Sequence, residues 1–86
     1  MFTKDIVVRC ESGLHNNQAT YFVQKANEFA CSISLEAQNR RMNAKSLLGV
    51  LSLGITKGLT ITILAEGPDE EEAVNDLVAL VSSDFA

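Results

Sequence analysis

Two short segments of this 86-residue chain alternate between apolar and polar side chains, and this alternation is the strongest constraint on its fold. The segments are residues 31–37 and residues 60–66. Their apolar positions are Cys31, Ile33, Leu35 and Ala37 in the first, and Leu59, Ile61, Ile63 and Ala65 around the second. A period of two is that of a strand with one buried face. The sequence therefore predicts a sheet with one face in the core and the other in water.

The rest of the first half contains a strand, a helix and a hairpin. Residues 6–10 alternate and predict a first strand, with Ile6, Val8 and Cys10 on one side. After the Ser12-Gly13 turn, an apolar stripe with a 3.6-residue period predicts a helix over 16–29. The stripe consists of Ala19, Phe22, Val23, Ala26 and Phe29. Gln38-Asn39 has turn chemistry, so residues 40–43 are expected to fold back as a partner strand.

The second half adds two helices. Residues 47–53 predict a short helix that ends at Gly54. After Gly67-Pro68, Asp69 is expected to cap a helix and Glu72 to reach back to the cap's N–H. Its predicted buried stripe is Ala73, Leu77, Leu80 and Val81. The element order β-α-β-β-α-β-α predicts an α+β fold, with a four-stranded antiparallel sheet covered by three helices on one face.

Length and composition narrow the functional classes. A chain of this length buries one core, so residues 1–86 are expected to form a single domain. The apolar runs fall far short of the roughly 20 residues of a membrane span, and Met1 to Asp5 have no secretory character. The protein is expected to be cytoplasmic. A net charge of −4 and the lack of a basic, aromatic-interleaved stripe argue against nucleic-acid binding.

The cysteines do not form a metal-binding pattern. Cys10 and Cys31 lack paired-ligand spacing, and with a single histidine they cannot supply the four ligands of a structural zinc site. Both are expected to be reduced core residues. No metal and no other cofactor is predicted.

His15, the only histidine, lies immediately before the first predicted helix. Unpaired N–H groups and the positive end of the dipole favour an anion at such a place, and they disfavour the imidazolium. A neutral, nucleophilic ring nitrogen can then accept a phosphoryl group, with N–H donors from residues such as Asn16 and Asn17. The alternative is that His15 only caps the helix. No neighbouring residue completes a catalytic pair, so hydrolase activity is not predicted.

Ser46 precedes the short helix and can cap it, in a position where phosphorylation adds about two negative charges at a favourable helix end. The alternative is an unmodified N-cap. Leu47, Leu48 and Leu51 are too many for so short a helix to bury, so part of this stripe is a candidate docking patch. The alternative for the leucines is ordinary core packing.

Two stretches, Gly13 to Thr20 and Asn43 to Gly54, resemble the HPr family of phosphocarrier proteins. The resemblance extends over essentially all 86 residues and includes the Gly13-Leu14-His15 start and Lys57-Gly58 before the last strand. It implies an open-faced β-sandwich. It also implies that His15 accepts a phosphoryl group from phosphoenolpyruvate through Enzyme I and passes it to Enzyme IIA components.

The resemblance also assigns a regulatory site and a docking face. In related proteins of low-GC Gram-positive bacteria, the serine matching Ser46 is phosphorylated by HPr kinase/phosphorylase, and the product binds the catabolite control protein. Thr20, Leu47, Leu48 and Leu51 are the expected partner-docking residues.

The sequence departs from the family directly after the histidine. The family normally has His-Ala-Arg-Pro, whereas this chain has His15-Asn16-Asn17-Gln18. Asn17 offers a neutral donor where the family has a permanent charge, so phosphoryl transfer is expected to be slowed. Gln18 restores a backbone N–H in the first turn, and the three residues 16–18 are the predicted phosphate-stabilising set. Lys25 is the only basic residue of the helix, which weakens steering toward Enzyme I.

Three hypotheses follow from the sequence. The first is a divergent HPr that carries a phosphoryl group on His15. The second is an HPr-like regulatory protein, impaired in phosphotransfer, that acts through phosphorylated Ser46 in carbon catabolite repression. The third is an interaction module in which neither residue is modified and the leucines dock a partner.

Overall fold

The computed structural model describes residues 1–9, 11, 13, 14 and 16–82, and of Asn16 the backbone alone. Its elements are β1 (Phe2–Val7), α1 (Asn16–Ala26), β2 (Ser32–Ala37), β3 (Arg40–Asn43), α2 (Leu47–Ser52), β4 (Thr60–Glu66) and α3 (Glu70–Ser82). The predicted order β-α-β-β-α-β-α is confirmed.

The four strands form one antiparallel sheet in the order β1-β4-β2-β3. The pairing of β1 with β4 runs from Phe2 opposite Ala65 to Val7 opposite Thr60. The helices cover one face, because α3 packs on β1 and β4, α2 packs on β3, and α1 packs on the other two helices. The predicted fold class, an antiparallel sheet with three helices on one face, is therefore confirmed.

The core lies between the helices and the covered face of the sheet. The alternation in β2 and β4 is confirmed, since the inward side chains are buried and their neighbours are not. The largest fully buried side chains are Leu14, Phe22, Leu35, Ile55, Ile61, Ile63 and Leu77. Burial of one such side chain contributes about 1.5–3 kcal/mol, so this cluster is what holds the helices on the sheet.

The predicted bounds of the first strand are wrong, because β1 begins at Phe2 and ends at Val7. The sequence pattern did not predict a strand over residues 2–5 because residues 3–5 are all polar. Lys4 lies opposite the buried Ile63 and should be apolar by pattern, but its Nζ extends past the core and donates to Asn75 Oδ1 of α3 at 2.8 Å. Val8 is buried just beyond the strand, and Cys10 lies outside the described residues.

The first helix is shorter than predicted, ending at Ala26 rather than at residue 29. Its last turn tightens: the Glu28 N–H donates to Lys25 O and the Phe29 N–H to Ala26 O, three residues back. Phe29 is nevertheless buried, as the stripe requires. The apolar period continued into this turn, so periodicity alone could not show where the helix stops.

The predicted capping box of the last helix is also wrong. The Asp69 carboxylate does not cap α3. It accepts from the backbone N–H groups of Ala30 (2.9 Å) and Cys31 (3.0 Å), just before β2. Glu72 is exposed, and it is the Glu70 carboxylate that accepts from the Gly67 N–H at 3.1 Å. Sheet pairing brings β2 and the end of β4 together, so Asp69 finds partners that are distant in sequence.

The buried stripe of α3 differs from the prediction at one position. Ala73, Leu77 and Val81 are buried as predicted. The fourth buried residue is Val74, whereas Leu80 is only half-buried. The buried face of α3 is therefore rotated slightly from the predicted one, because α3 packs on two strands and on α1 at once.

Cys31 is a free, buried cysteine, as the sequence predicts. Burial, followed by the hydrogen bond to the nearby Asp69 carboxylate, raises the pKa of the Cys31 thiol to about 11. A thiol with this pKa is protonated at neutral pH and is a poor nucleophile. Cys31 is therefore a packing residue.

We expect Asp69→Asn to lower the melting temperature at neutral pH and to flatten its dependence on pH. The Ala30 N–H and the Cys31 thiol and N–H bond the ionised carboxylate, which lowers the pKa of Asp69. A group with a lowered folded-state pKa stabilises the fold above its unfolded pKa of about 3.9 and loses that effect as the pH falls through the folded-state pKa. Thermal unfolding followed by circular dichroism between about pH 7 and pH 2 measures both effects.

Asp76→Asn is the matched control, since within the described residues the Asp76 carboxylate has only a partly exposed ion pair with Lys25, at 4.0 Å. Its effect should be small. Equal effects of the two substitutions would contradict the structural role of Asp69.

Candidate functional site

The predicted phosphoryl acceptor, His15, lies outside the described residues, as does the side chain of Asn16. The flanking structure is described on both sides. Leu14 is fully buried, and α1 begins at Asn16. Residue 15 is therefore the last position before the helix, and residues 16–18 form its first turn. In this turn Asn17 is exposed and Gln18 is half-buried.

The first turn of α1 suits an anion. It contains no acidic residue, and the first N–H groups of any α-helix have no partner within the helix. These N–H groups and the helix dipole attract negative charge. A phosphoryl group carried just before Asn16 would therefore meet favourable donors from the backbone.

The segment before the helix is fixed by the loop that follows α2. The Leu14 N–H donates to Ile55 O at 3.0 Å. Gly13 has φ of +66°, and a Cβ at this position would overlap Ile55 O and lie 2.8 Å from Thr56 Cα. Only glycine adopts this positive φ without strain and also lacks the Cβ that would overlap Ile55 O. Gly13 and Leu14 therefore hold the start of α1 against the end of α2.

Further contacts join the same two loops. The Val8 N–H donates to Leu59 O at 2.9 Å, and the Gly58 N–H donates to Val8 O at 2.8 Å. Lys57 Nζ bonds Glu11 Oε1 at 2.7 Å in an exposed pair, which lowers the pKa of Glu11. The sequence reasoning missed these partners and treated Ser12-Gly13 only as a turn. The one sequence feature that singled out this loop was the family resemblance at Lys57-Gly58. That resemblance does not show which residues Lys57 and Gly58 contact.

Ser46 is the N-cap of α2, as predicted. Its backbone is extended (φ −107°, ψ 118°), and its Oγ accepts from the Gly49 N–H at 3.2 Å. Asn43 supports this turn, because Asn43 O accepts from the Ser46 N–H and Asn43 Oδ1 accepts from the Lys45 N–H. The Ser46 hydroxyl is half-buried by this arrangement.

Two basic side chains fix α2 at its ends. Lys45 Nζ donates to Phe29 O at 2.7 Å, next to the end of α1. Arg40 Nη1 donates to Ser52 O at 2.9 Å, which satisfies a carbonyl of the last turn. Sequence reasoning missed Arg40, because its role depends on the hairpin bringing β3 beside α2. The side chains that α2 and its C-cap bury are Val50 and Leu53.

The predicted docking leucines are largely on the outside of α2. Leu48 is 82% exposed and Leu47 is 40% exposed, while Leu51 is half-buried. We call these three residues the leucine patch. Thr20, the fourth predicted docking residue, is half-buried on α1, the helix that packs against α2. Leucine so exposed does not contribute to the core, and such a patch is typical of a protein interface.

Two further searches of the described residues concern other kinds of site. Within this part of the chain, no group of three or more His, Cys, Asp or Glu side chains could hold a metal ion. None of the helices described here is long and apolar enough to cross a membrane.

The fold and site together define a carrier or docking protein. Ser46 starts a helix beside the exposed Leu47 and Leu48, and the first turn of α1 contains the exposed Asn17. Comparison with known proteins agrees with this class. The family model of the PTS HPr component phosphorylation site matches residues 2–83, and the chain belongs to the HPr family of phosphocarrier proteins.

Relatives of both kinds within the family match along their full length. The HPr-like protein Crh of Halalkalibacterium halodurans is 40% identical over 98% of this chain and 100% of its own. The phosphocarrier protein HPr of Vibrio cholerae is 41% identical over 94% of this chain and 95% of its own. The crystal structure of HPr-C-His from Thermoanaerobacter tengcongensis has a TM-score of 0.97 and 42% identity, covering 99% of this chain and 96% of that one.

We expect Gly13→Ala to destabilise the fold more than Gly54→Ala does. Both glycines have positive φ, at +66° and +60°. Placing alanine in this left-handed conformation costs about 1–2 kcal/mol of stability in each variant. A Cβ at Gly54 meets nothing within 4 Å, whereas one at Gly13 overlaps Ile55 O. Urea unfolding gives the two free energies of unfolding, with Gly13→Ala expected to lose at least about 1 kcal/mol more. Equal losses would show that the contact with Ile55 is not tight.

Proposed function

We propose that this protein carries a phosphoryl group on His15, in the cytoplasm, as part of the phosphoenolpyruvate-dependent sugar phosphotransferase system. It accepts the group from phosphoenolpyruvate through Enzyme I and passes it to Enzyme IIA components. The observation that supports the proposal is the described structure on either side of residue 15: the Gly13-Leu14 segment is bound to Ile55, and α1 begins at Asn16. The protein acts as a carrier and not as a catalyst.

The proposed transfer needs little from the carrier beyond a neutral imidazole and a place for the anion. A ring nitrogen of His15 gives its lone pair to phosphorus while the bond from phosphorus to the donor breaks. The N–H groups of residues 16–18 then bond the phosphoryl oxygens. The same N–H groups disfavour the imidazolium, which keeps the ring nucleophilic at neutral pH.

Asn17 makes the site weaker than the usual family site. A charged donor contributes about 1.5–3 kcal/mol to a hydrogen bond and a neutral one about 0.5–1.5 kcal/mol. Loss of about 1–2 kcal/mol in the transition state slows the transfer by about 5- to 30-fold. The Gln18 N–H, which a proline would lack, offsets part of this loss.

We expect Enzyme I and phosphoenolpyruvate to add one acid-labile phosphoryl group to the natural protein and none to His15→Ala. The double variant Asn17→Arg with Gln18→Pro should be labelled faster, by about 5- to 30-fold. Intact-mass spectrometry over a time course measures both. Labelling of the double variant alone would show that the natural loop has lost transfer, and labelling of His15→Ala would place the acceptor elsewhere.

The leucine patch and Thr20 are proposed to dock Enzyme I and Enzyme IIA. Leu48 is the most exposed of the three leucines, so it offers the most apolar surface for burial against a partner. The patch lies on α2, which packs beside α1 and is joined to the Gly13-Leu14 segment through Ile55. A partner on the patch would therefore reach the start of α1.

We expect Leu48→Ala to raise the KM for Enzyme I about 5-fold or more while changing the free energy of unfolding by less than about 0.5 kcal/mol. Val7→Ala is the matched control. Val7 is 43% exposed on β1, opposite Thr60 on the uncovered sheet face. Initial phosphorylation rates at several concentrations give both KM values. Equal changes for the two variants would remove the docking role of the patch.

A second candidate function is regulatory and acts through Ser46. The observation that favours it is that Ser46 caps α2 beside the exposed Leu47 and Leu48. The proposed weakening by Asn17 would also affect the His15 site alone. HPr kinase/phosphorylase would add the phosphate, and the phosphorylated protein would bind the catabolite control protein in carbon catabolite repression. The two functions are compatible within one molecule.

We expect HPr kinase/phosphorylase and ATP to add an acid-stable phosphate to the natural protein and not to Ser46→Ala. Ser52→Ala is the matched control, because Ser52 is exposed on the same helix and its Oγ donates to Gly49 O. Ser46→Ala should also cost about 1 kcal/mol of stability through the lost cap. Tandem mass spectrometry locates the phosphate. A chain that takes neither label would be an unmodified interaction module.

A further inference from the structure

A groove lies at the edge of the sheet where β3 leaves β2, and it ends at Lys45, the residue before the Ser46 N-cap. The last residue pair between these strands is Ser34 with Asn43, and the chain then turns toward α2 while β2 continues back to Ser32. The space left between residues 30–34 and residues 41–45 measures about 520 Å³. This volume is within the range of about 300–1,000 Å³ for small-molecule sites.

Among the described residues that line it, the groove has two cationic side chains and no carboxylate. Arg41 and Lys45 line it, and its other polar side chains are Ser32, Ser34 and Asn43. The chain as a whole has a net charge of −4, so two cations without a carboxylate among the lining residues are a local reversal of charge. Such a reversal attracts an anion.

The polar groups of this groove have unused hydrogen-bonding capacity. Within the described part of the chain, the Arg41 guanidinium has no hydrogen bond or ion pair, although Glu36 lies opposite it in the β2–β3 pairing. Lys45 Nζ uses one of its three N–H bonds on Phe29 O. Asn43 uses its Oδ1 on the Lys45 N–H, which leaves its NH₂ as a donor. These three groups line one side of the groove, and Ser32 and Ser34 line the other.

We propose that this groove binds a small phosphate monoester that also carries hydroxyl groups. The planar guanidinium of Arg41 matches two phosphate oxygens, and the Lys45 ammonium adds a second charge. The Ser32 and Ser34 hydroxyls and the Asn43 amide suit the hydroxyl groups of the ligand body. A smaller cavity of about 40 Å³ shares Ser32, Ser34 and Arg41 with the groove, and Glu66 also lines it. Lys45 lines only the groove, so the phosphate is placed on its side, away from the Glu66 carboxylate.

Titration with glycerol 3-phosphate, followed by ¹H–¹⁵N chemical shifts of the full chain, tests the proposal. Saturable shifts are expected at residues 32–34 and 41–45. Arg41→Gln should weaken binding about tenfold, since it removes a charge-assisted pair. Arg40→Gln is the matched control: it makes the same charge change at the adjacent residue, which is on the other face of β3 and bonds Ser52 O. Its affinity should change by less than about twofold.

A variant of Glu36 tests the proposal in the opposite direction. Glu36→Gln removes the carboxylate opposite Arg41 without touching the donors, so binding should tighten. Glycerol should give no saturable shifts, and inorganic phosphate should bind more weakly than glycerol 3-phosphate. Absence of saturation, equal losses in Arg40→Gln and Arg41→Gln, or equal affinity for the two anions would overturn the proposal. The titrations use the chain without phosphate on His15 or Ser46, so they do not depend on whether either residue can be modified.

Discussion

The contact of Gly13 and Leu14 with Ile55 is the interaction on which the candidate site depends. It consists of one backbone hydrogen bond, from the Leu14 N–H to Ile55 O, and one close approach that a Cβ on Gly13 would prevent. Leu14 and Ile55 are both fully buried, so the bond is shielded from water. The contact holds the Gly13-Leu14 segment, and with it the start of α1, against the loop that follows α2.

The two proposed modification positions belong to helices that this contact joins. Ser46 starts α2, and Ile55 follows its end after Gly54, so α2 lies between the serine and the partner of Leu14. Arg40 and Lys45 fix the same helix to β3 and to the end of α1. The substitutions at Asn17 and Gln18 lie in the first turn of α1 and leave these supports unchanged. The fold can thus keep the family's geometry together with the proposed weakening of the chemistry at the His15 site.

The sequence alone was sufficient to predict the class and order of the elements, and the reasons are local. Alternation in β2 and β4 and the stripe of α1 follow from burial on one face, and Ser46 caps α2 through a partner three residues away. The failures involve partners that are distant in sequence. Asp69 bonds Ala30 and Cys31, Lys4 reaches Asn75, and Arg40 reaches Ser52. None of these contacts has a period or a spacing that a sequence shows before the sheet is assembled.

Hydrogen exchange at the Leu14 amide tests the central claim most directly, because that amide carries the bond to Ile55. If the start of α1 is held as described, the Leu14 N–H exchanges only when the whole fold opens, as slowly as the core amides of Ile61 and Ile63 in β4. Exchange as fast as that of exposed loop amides would contradict the account. It would show that the segment before position 15 opens independently of the core.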